Sequence, residues 1–140
     1  MKACVLDASV VAAAFFQEDH ADRAAKLLTG GRVLHAPDLI HAELANVIWK
    51  RHGRGEINGT EAIALLADFR SLPLRATPCR ALSEPALELA LRTGRSVYDC
   101  LYLALAVAGR SAMITADKRL VRALAGTPLA RHVTWLGDVT

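Results

Sequence analysis

The segment Lys2-Ala3-Cys4-Val5-Leu6-Asp7-Ala8-Ser9 contains a short apolar run that stops at an acidic residue. Such a run is typical of a buried strand, and Asp7 lies where that strand reaches the edge of its sheet. The alanine-rich residues that follow predict a helix, for which Asp7 and Ser9 are both candidate caps. A strand followed directly by a helix favours an α/β fold. Asp7 then lies at the carboxyl end of the strand, where open α/β sheets place their ligand sites.

Strands and helices alternate along the rest of the chain. From Asp38 to His52, apolar residues recur at helical spacing, and the nearly all-apolar stretch from Val97 to Ala108 predicts a buried helix. Further helices are predicted over 20–28, 60–69, 84–91 and 119–124, and further strands over 33–36, 72–77, 111–115 and 133–136. Because strands alternate with helices, we expect a mostly parallel sheet covered by helices on both faces.

The composition is that of a compact domain. Of the 140 residues, 53% are hydrophobic and 22% are charged, which excludes a disordered chain. This length fits a single domain over residues 1–140. The net charge of +3 favours a nucleic-acid partner only weakly, although the rest of the surface is more cationic once the acidic candidates below are set aside.

The cysteines and the apolar runs indicate the compartment. Cys4, Cys79 and Cys100 are odd in number and widely spaced, which predicts neither a disulfide framework nor a thiolate zinc site. No run approaches the ~18 apolar residues that a membrane span requires. We therefore expect a cytoplasmic protein that does not enter the membrane.

Four acidic residues stand where packing alone does not explain them. Asp7 and Asp117 each follow a predicted strand, Glu43 shares the apolar side of its helix, and Asp99 is the only charged residue between Ser96 and Gly109. Each has a simpler explanation. Asp7 and Asp117 can be helix caps, Glu43 can point into water, and Asp99 can favour a helix N-terminus or pair with Arg95.

The four acids together favour a metal site. Two acids at strand ends and two on helices can converge on one pocket, where their like charges repel one another. A hard divalent cation relieves that repulsion, and oxygen-only ligands select Mg²⁺ or Mn²⁺. Metal-assisted hydrolysis of a phosphodiester is the chemistry that follows. Three nearby polar residues are candidates for orienting the ligands or waters, with ordinary capping or surface roles as the alternative: Ser9, Asn46 and Thr115.

Basic residues cluster near two of these acids. They are candidates for phosphate contacts, and the alternative is that they are solvated helix ends. The cluster after Glu43 contains Lys50, Arg51, His52 and Arg54, and Arg92 and Arg95 precede Asp99.

At these motifs the chain resembles the PIN domain, and within it the VapC toxins of bacterial VapBC toxin–antitoxin pairs. The matching segments are Val5 to Ser9, Glu43 with Asn46, Tyr98 to Ala104, and Ile114 to Asp117. The resemblance implies a three-layer sandwich with a mostly parallel five-stranded sheet and a Mg²⁺-dependent endoribonuclease. It also implies a homodimer and a cognate VapB-type antitoxin that covers the site. The acidic quartet of the family matches Asp7, Glu43, Asp99 and Asp117, with Asp7 and Asp99 as the direct metal ligands.

Other classes fit the sequence less well. A receiver-type phosphoacceptor domain would carry two acids after its first strand, and an aspartyl phosphatase would read D-x-D where this chain reads Asp7-Ala8-Ser9. The main alternative is an RNA- or protein-binding module in which the acids hold a metal only for structure.

Overall fold

The computed structural model describes residues 2–140. Its five strands are β1 (Ala3–Leu6), β2 (Val33–Pro37), β3 (Leu74–Thr77), β4 (Met113–Thr115) and β5 (Val133–Trp135). Its seven α-helices are α1 (Ala8–Phe15), α2 (Ala21–Thr29), α3 (Leu39–Gly53), α4 (Gly59–Arg70), α5 (Cys79–Thr93), α6 (Val97–Ala108) and α7 (Lys118–Leu124). Short 3-10 helices at Ala130–His132 and Leu136–Asp138 flank β5.

All neighbouring strands are parallel, in the order β3-β2-β1-β4-β5. The chain runs outward from β1 through β2 to β3, and then crosses back to β4 and β5. Because such crossovers are right-handed, this reversal places the helices before β3 and the helices α5 and α6 on opposite faces. The fold class predicted from the sequence is confirmed.

The strand order also identifies a position in the sheet where ligands tend to bind. The connections that leave β1 and β4 run in opposite directions, so a topological switch point lies between these two central strands. Ligands of open α/β sheets bind outside the carboxyl ends of the strands at such a point. Asp7 directly follows β1, and Asp117 lies two residues beyond the end of β4.

The core consists of the inner strands and the helices packed on them. Cys4, Val5 and Leu6 of β1 are almost completely buried, and α3 buries Ile40, Leu44 and Ile48 along one side. Most of α6 is buried as well, as its apolar sequence predicts. Position 43 therefore lies beside the buried stripe of α3, and position 99 lies in the first turn of α6.

The largest error of the sequence analysis concerns α5. The sequence predicts a helix that begins at Glu84. The structure begins the helix at Cys79 and carries Pro85 in its interior. The early start has a long-range partner, since the Asp38 side chain accepts a hydrogen bond of 2.9 Å from the Cys79 amide.

Asp38 thus occupies the N-cap position of α3, but its side chain binds the first residue of α5. Its side chain makes no capping hydrogen bond to α3. Hydrogen bonds from the Cys79 side chain and from the Cys79 amide hold the pKa of Asp38 below its ordinary value. Two smaller differences concern other elements. The strands β3 and β4 are shorter than predicted, and α2 begins after His20 because that residue has a φ of +64°.

Two further expectations concern the whole described chain. Cys4, Cys79 and Cys100 are free cysteines. Within residues 2–140, no helix is both long enough and apolar enough to cross a membrane.

Candidate active site

Asp7 lies at the carboxyl end of β1 and is held by hydroxyl groups. Its Oδ2 accepts hydrogen bonds of 2.8 Å from both Ser9 Oγ and Thr115 Oγ1. Although Asp7 occupies the N-cap position of α1, its side chain makes no capping hydrogen bond. The capping alternative is therefore wrong for this carboxylate. The carboxylate has two hydroxyl donors, one from Ser9 in α1 and one from Thr115 at the end of β4.

Thr115 and Ser9 connect the two central strand ends. Thr115 is fully buried at the end of β4, and its Oγ1 also accepts a 3.0 Å hydrogen bond from the Asp117 amide. Ser9 Oγ in turn accepts a 3.0 Å hydrogen bond from the Ala116 amide. The two hydroxyls therefore fix Asp7 relative to the turn after β4. The role of both residues in orienting a metal ligand remains a prediction.

Glu43 extends from the buried side of α3 toward α6. Its Oε1 accepts a 2.5 Å hydrogen bond from the hydroxyl of Tyr102, a side chain that is only 1% exposed. Glu43 is itself partly buried, so the alternative of a side chain pointing freely into water does not hold. The hydrogen bond from Tyr102 links α3 to α6 at the site.

Asp99 lies in the first turn of α6, where Ser96 caps the helix by accepting a 3.1 Å hydrogen bond from the Asp99 amide. One Asp99 oxygen is 3.8 Å from Nη2 of Arg95. The ion pair proposed as the simpler explanation is therefore present. It is long, and the Asp99 side chain retains 36% exposure, so the carboxylate stays accessible.

Asp117 is the most exposed of the four acids and also caps a helix. Its Oδ1 accepts a 2.9 Å hydrogen bond from the Arg119 amide at the start of α7. The capping interpretation thus holds for Asp117, although its charge still acts on Asp99.

The carboxylates influence one another electrostatically. Burial is the largest cause that raises the pKa of Asp7, Glu43 and Asp99. The charge of Asp99 adds to the rise at Asp7, and the charges of Asp7 and Asp99 add to the rise at Glu43. Hydrogen bonds from Ser9, Thr115 and Tyr102 and the charge of Arg95 oppose these rises. Three elements distant in sequence thus bring mutually repelling acids to one edge of the sheet.

The side chains do not form a finished cation cage. Within residues 2–140, no three histidine, cysteine, aspartate or glutamate side chains lie close enough together to hold a metal ion as they stand. Glu43, Asp99 and Asp117 are each engaged by a group of the protein itself. The donor set nevertheless fits a hard cation, because it is all oxygen, partly desolvated and in need of positive charge.

The remaining predicted residues fall into two groups. Arg51 is bound to the carboxylates of Glu18 and Glu56 and lies 4.5 Å from the ring centre of Phe16, so its role is structural. Asn46 is exposed on α3, and its side chain makes no hydrogen bond with any described residue. Lys50, Arg54 and Arg92 are exposed to solvent.

Tyr102 is a site residue that the sequence analysis missed. The signal was present, since a tyrosine in a helix of buried apolar residues needs a partner for its hydroxyl. Burial and the carboxylate of Glu43 both raise the pKa of Tyr102 far above its ordinary value, so the hydroxyl stays protonated and remains a donor.

Together the fold and the site define an α/β domain with coupled carboxylates at the switch point of a parallel sheet. The PIN domain model matches residues 4–125. Ribonuclease VapC3 of Pyrobaculum aerophilum is 32% identical over 120 residues, which cover 83% of this chain and 90% of that protein. The chain therefore belongs to the PIN domain family and, within it, to the VapC proteins.

Solved structures agree on the fold. The crystal structure of PAE2754 from Pyrobaculum aerophilum has a TM-score of 0.70 at 22% identity and covers 97% of this chain and 85% of its own. VapBC2 from Rickettsia felis, crystallised with a DNA fragment from its promoter, has a TM-score of 0.65 at 16% identity and covers 95% and 98% of the two chains. The predicted family resemblance is confirmed.

Proposed function

We propose that this chain is a metal-dependent endoribonuclease and the toxin of a VapBC-type toxin–antitoxin pair. The observation that carries the proposal is the set of mutually coupled carboxylates from β1, α3 and α6 at the carboxyl edge of the sheet. Its relative in Pyrobaculum aerophilum is named a ribonuclease, and that relationship supports the same reaction here.

The cation proposed for this site is Mg²⁺ or Mn²⁺. Asp7 and Asp99 are the proposed direct ligands, and Glu43 and Asp117 complete the set of acids. When bound, such a cation polarises a phosphoryl oxygen and lowers the pKa of a bound water. Asp7 is the best prepared ligand, since Ser9 and Thr115 both donate to its Oδ2 and hold the carboxylate in place.

The protein's own groups have distinct roles in this proposal. Tyr102 keeps Glu43 within the site while leaving its second oxygen without a hydrogen bond from a described residue. Thr115 joins the turn that carries Asp117 to Asp7. In the absence of a cation these uncharged hydroxyls support the carboxylates, and Tyr102 supplies to Glu43 a hydrogen bond that a bound cation would replace.

The proposed protein partner is a VapB-type antitoxin, by analogy with the Rickettsia felis VapBC2 complex. An apolar groove of about 400 Å³ between α3 and α4 fits an amphipathic segment of such a protein. Two large side chains stand exposed at this groove, Trp49 at 67% and Ile63 at 71%. The groove lies on the helix that supplies Glu43, so a bound antitoxin would be anchored beside the site.

A homodimer is the other proposed assembly. A second apolar groove, of about 610 Å³, lies between α5 and α6 on the opposite face of the sheet. Leu91 at 78% exposure and Leu87 at 50% exposure lie on α5 beside it. We assign this face to a second copy of the chain.

A single domain over residues 1–140 and a cytoplasmic location also belong to the proposal. The free cysteines favour that location.

The test combines melting and cleavage on the same samples. The purified chain is melted with Mg²⁺, with Mn²⁺ and with EDTA, and is incubated under the same conditions with tRNA, rRNA and mRNA. We expect a cation-dependent rise in melting temperature and RNA cleavage that EDTA stops. Cation stabilisation without cleavage of any RNA class would instead favour a metal-stabilised binding module.

A matched pair of variants assigns the activity to the site. Asp99→Asn removes a carboxylate of the coupled set. Asp138→Asn removes the same charge beside a pocket lined by Lys2 and Arg32, near the amino ends of the strands. We expect only Asp99→Asn to abolish cleavage. Equal cleavage by both variants would refute the proposed site.

A further inference from the structure

The segment between α5 and α6 places an arginine beside the carboxylates. We infer that Arg95 binds a phosphate of the RNA substrate, and that in the cation-free protein it shields Asp99 instead. This inference rests on the function proposed above. It assigns to one side chain two alternative partners, a carboxylate of the site and a phosphodiester of the substrate.

The backbone of this segment is well fixed. The Arg95 amide donates a 3.2 Å hydrogen bond to Thr93 Oγ1, and Ser96 caps the following helix. Gly94 adopts a φ of +73°, which ends α5 and turns the chain toward α6. The base of the Arg95 side chain is therefore held in place at the edge of the site.

The guanidinium group, in contrast, lacks hydrogen-bond partners. Its Nη2 is 3.8 Å from Asp99, too far for a hydrogen bond, and its Nε is buried without any partner among residues 2–140. Buried donors in folded proteins are nearly always paired, so the Arg95 guanidinium has donor capacity that no described residue uses. Its side chain also retains 32% exposure, which leaves it open to a ligand from solvent.

Arg51 shows what a structural arginine looks like in the same protein. It is bound to two carboxylates and stacks on an aromatic ring. Arg95 has a single loose contact with one carboxylate. A planar guanidinium fork matches phosphate oxygens well, and a phosphate at the acidic site lies on the side that this arginine already faces.

The two partners of Arg95 compete for it. A cation held by Asp99 supplies the positive charge that Arg95 provides in its absence, and so weakens the ion pair. Arg95 then gains more from a phosphate than from Asp99. It follows that removing Arg95 should have opposite effects on the two ligands, strengthening cation binding and weakening RNA binding.

The experiment compares Arg95→Ala, Arg95→Lys and Arg70→Ala with the wild type. Arg70 is an exposed arginine at the end of α4. Because it precedes β3, it lies toward the amino ends of the strands, whereas the site lies at their carboxyl ends. Mn²⁺ affinity is measured without RNA, from the melting temperature as a function of Mn²⁺ concentration. KM and kcat are measured on an RNA that the wild type cleaves.

For Arg95→Ala we expect Mn²⁺ binding to tighten by about two- to fivefold, which is the range of a partly exposed ion pair. We expect KM to rise by about tenfold or more, as for the loss of a charge-assisted hydrogen bond. Arg95→Lys should keep the Mn²⁺ affinity of the wild type and recover part of KM, since it retains the charge without the fork. Arg70→Ala should change neither quantity by more than about twofold.

Two results overturn the inference. Mn²⁺ binding by Arg95→Ala that is unchanged or weaker would show that Arg95 does not shield Asp99, and an unchanged KM would show that it does not bind substrate. A general structural role is separable, because it would weaken both ligands together. If the wild type itself neither binds Mn²⁺ nor cleaves RNA, the proposed function fails, and the inference fails with it.

Discussion

Removing the hydroxyl of Tyr102 tests how the site is built. Tyr102→Phe keeps the buried ring and deletes only the oxygen that donates 2.5 Å to Glu43. A hydrogen bond to a charged group contributes about 1.5–3 kcal/mol, and water can partly replace it because Glu43 is only partly buried. We expect the free energy of unfolding in EDTA to fall by about 1.5–2 kcal/mol. For a chain of 140 residues this lowers the melting temperature by about 4–8 °C.

The matched control is in the same helix. Tyr98 is 63% exposed, and its hydroxyl makes no hydrogen bond with a described residue. Tyr98→Phe removes the same atom and should change the free energy of unfolding by less than about 0.5 kcal/mol. Both variants are measured by urea denaturation and thermal melting in EDTA, with circular dichroism to verify that the fold is kept.

Cation titration extends this comparison. In Tyr102→Phe the carboxylate of Glu43 has lost its donor, so a divalent cation should restore more stability to this variant than to the wild type or to Tyr98→Phe. Equal stability of the two variants in EDTA would refute the hydrogen bond as a support of the site. A loss of stability in Tyr102→Phe that cations do not reduce would show that Glu43 faces away from them.

Three other changes address separate parts of the molecule. Asp7→Asn should lower cleavage by about 100-fold or more and raise the melting temperature in EDTA. The amide oxygen can still accept hydrogen bonds from both hydroxyls, while the repulsion among the acids is relieved. Cleavage at the wild-type rate would contradict this prediction. Asp38→Ala should lower the melting temperature at pH 7 by removing the acceptor of the Cys79 amide. Because the folded pKa of Asp38 is depressed, its stabilisation is present above the unfolded pKa and is lost as pH falls through the folded pKa, so the two proteins should converge in acid. Trp49→Ala should weaken antitoxin binding by about tenfold or more in calorimetry and leave cleavage unchanged. Leu91→Asp should shift the chain from dimer toward monomer in size-exclusion chromatography.

The fold was predictable because its signals are local. A run such as Cys4 to Leu6 has few alternatives to a buried strand, and the helical spacing of α3 is clear in the sequence. The main error, the start of α5, had a cause that local patterns cannot contain. The amide of Cys79 is satisfied by Asp38, a residue 41 positions earlier in the chain.

The residues of the candidate site could be predicted from the sequence, whereas their contacts could not. An aspartate at a strand end, or alone in an apolar helix, can be found by reading the sequence. The sequence does not show which group each acid contacts. Asp7 proved to be bound by hydroxyls, whereas Asp117 caps α7, although both follow strands of the same sheet. The hydroxyl of Thr115 contacts both segments, since it donates to Asp7 and accepts from the Asp117 amide, and local sequence patterns do not show these contacts.

Under the proposed function, the contacts of the acids divide the candidate ligands into fixed and adjustable ones. The hydroxyls of Ser9 and Thr115 orient Asp7 without competing for a cation, since both donate to the same oxygen. Tyr102 and Arg95 instead supply to Glu43 and Asp99 the hydrogen bond or positive charge that a cation would replace. Cation binding therefore has to weaken the contacts of Tyr102 and Arg95, and it can keep those of Ser9 and Thr115. It follows that the contacts of Glu43 and Asp99 should limit cation affinity. Substitutions of Tyr102 and Arg95 should therefore strengthen cation binding, whereas substitutions of Ser9 and Thr115 should weaken it.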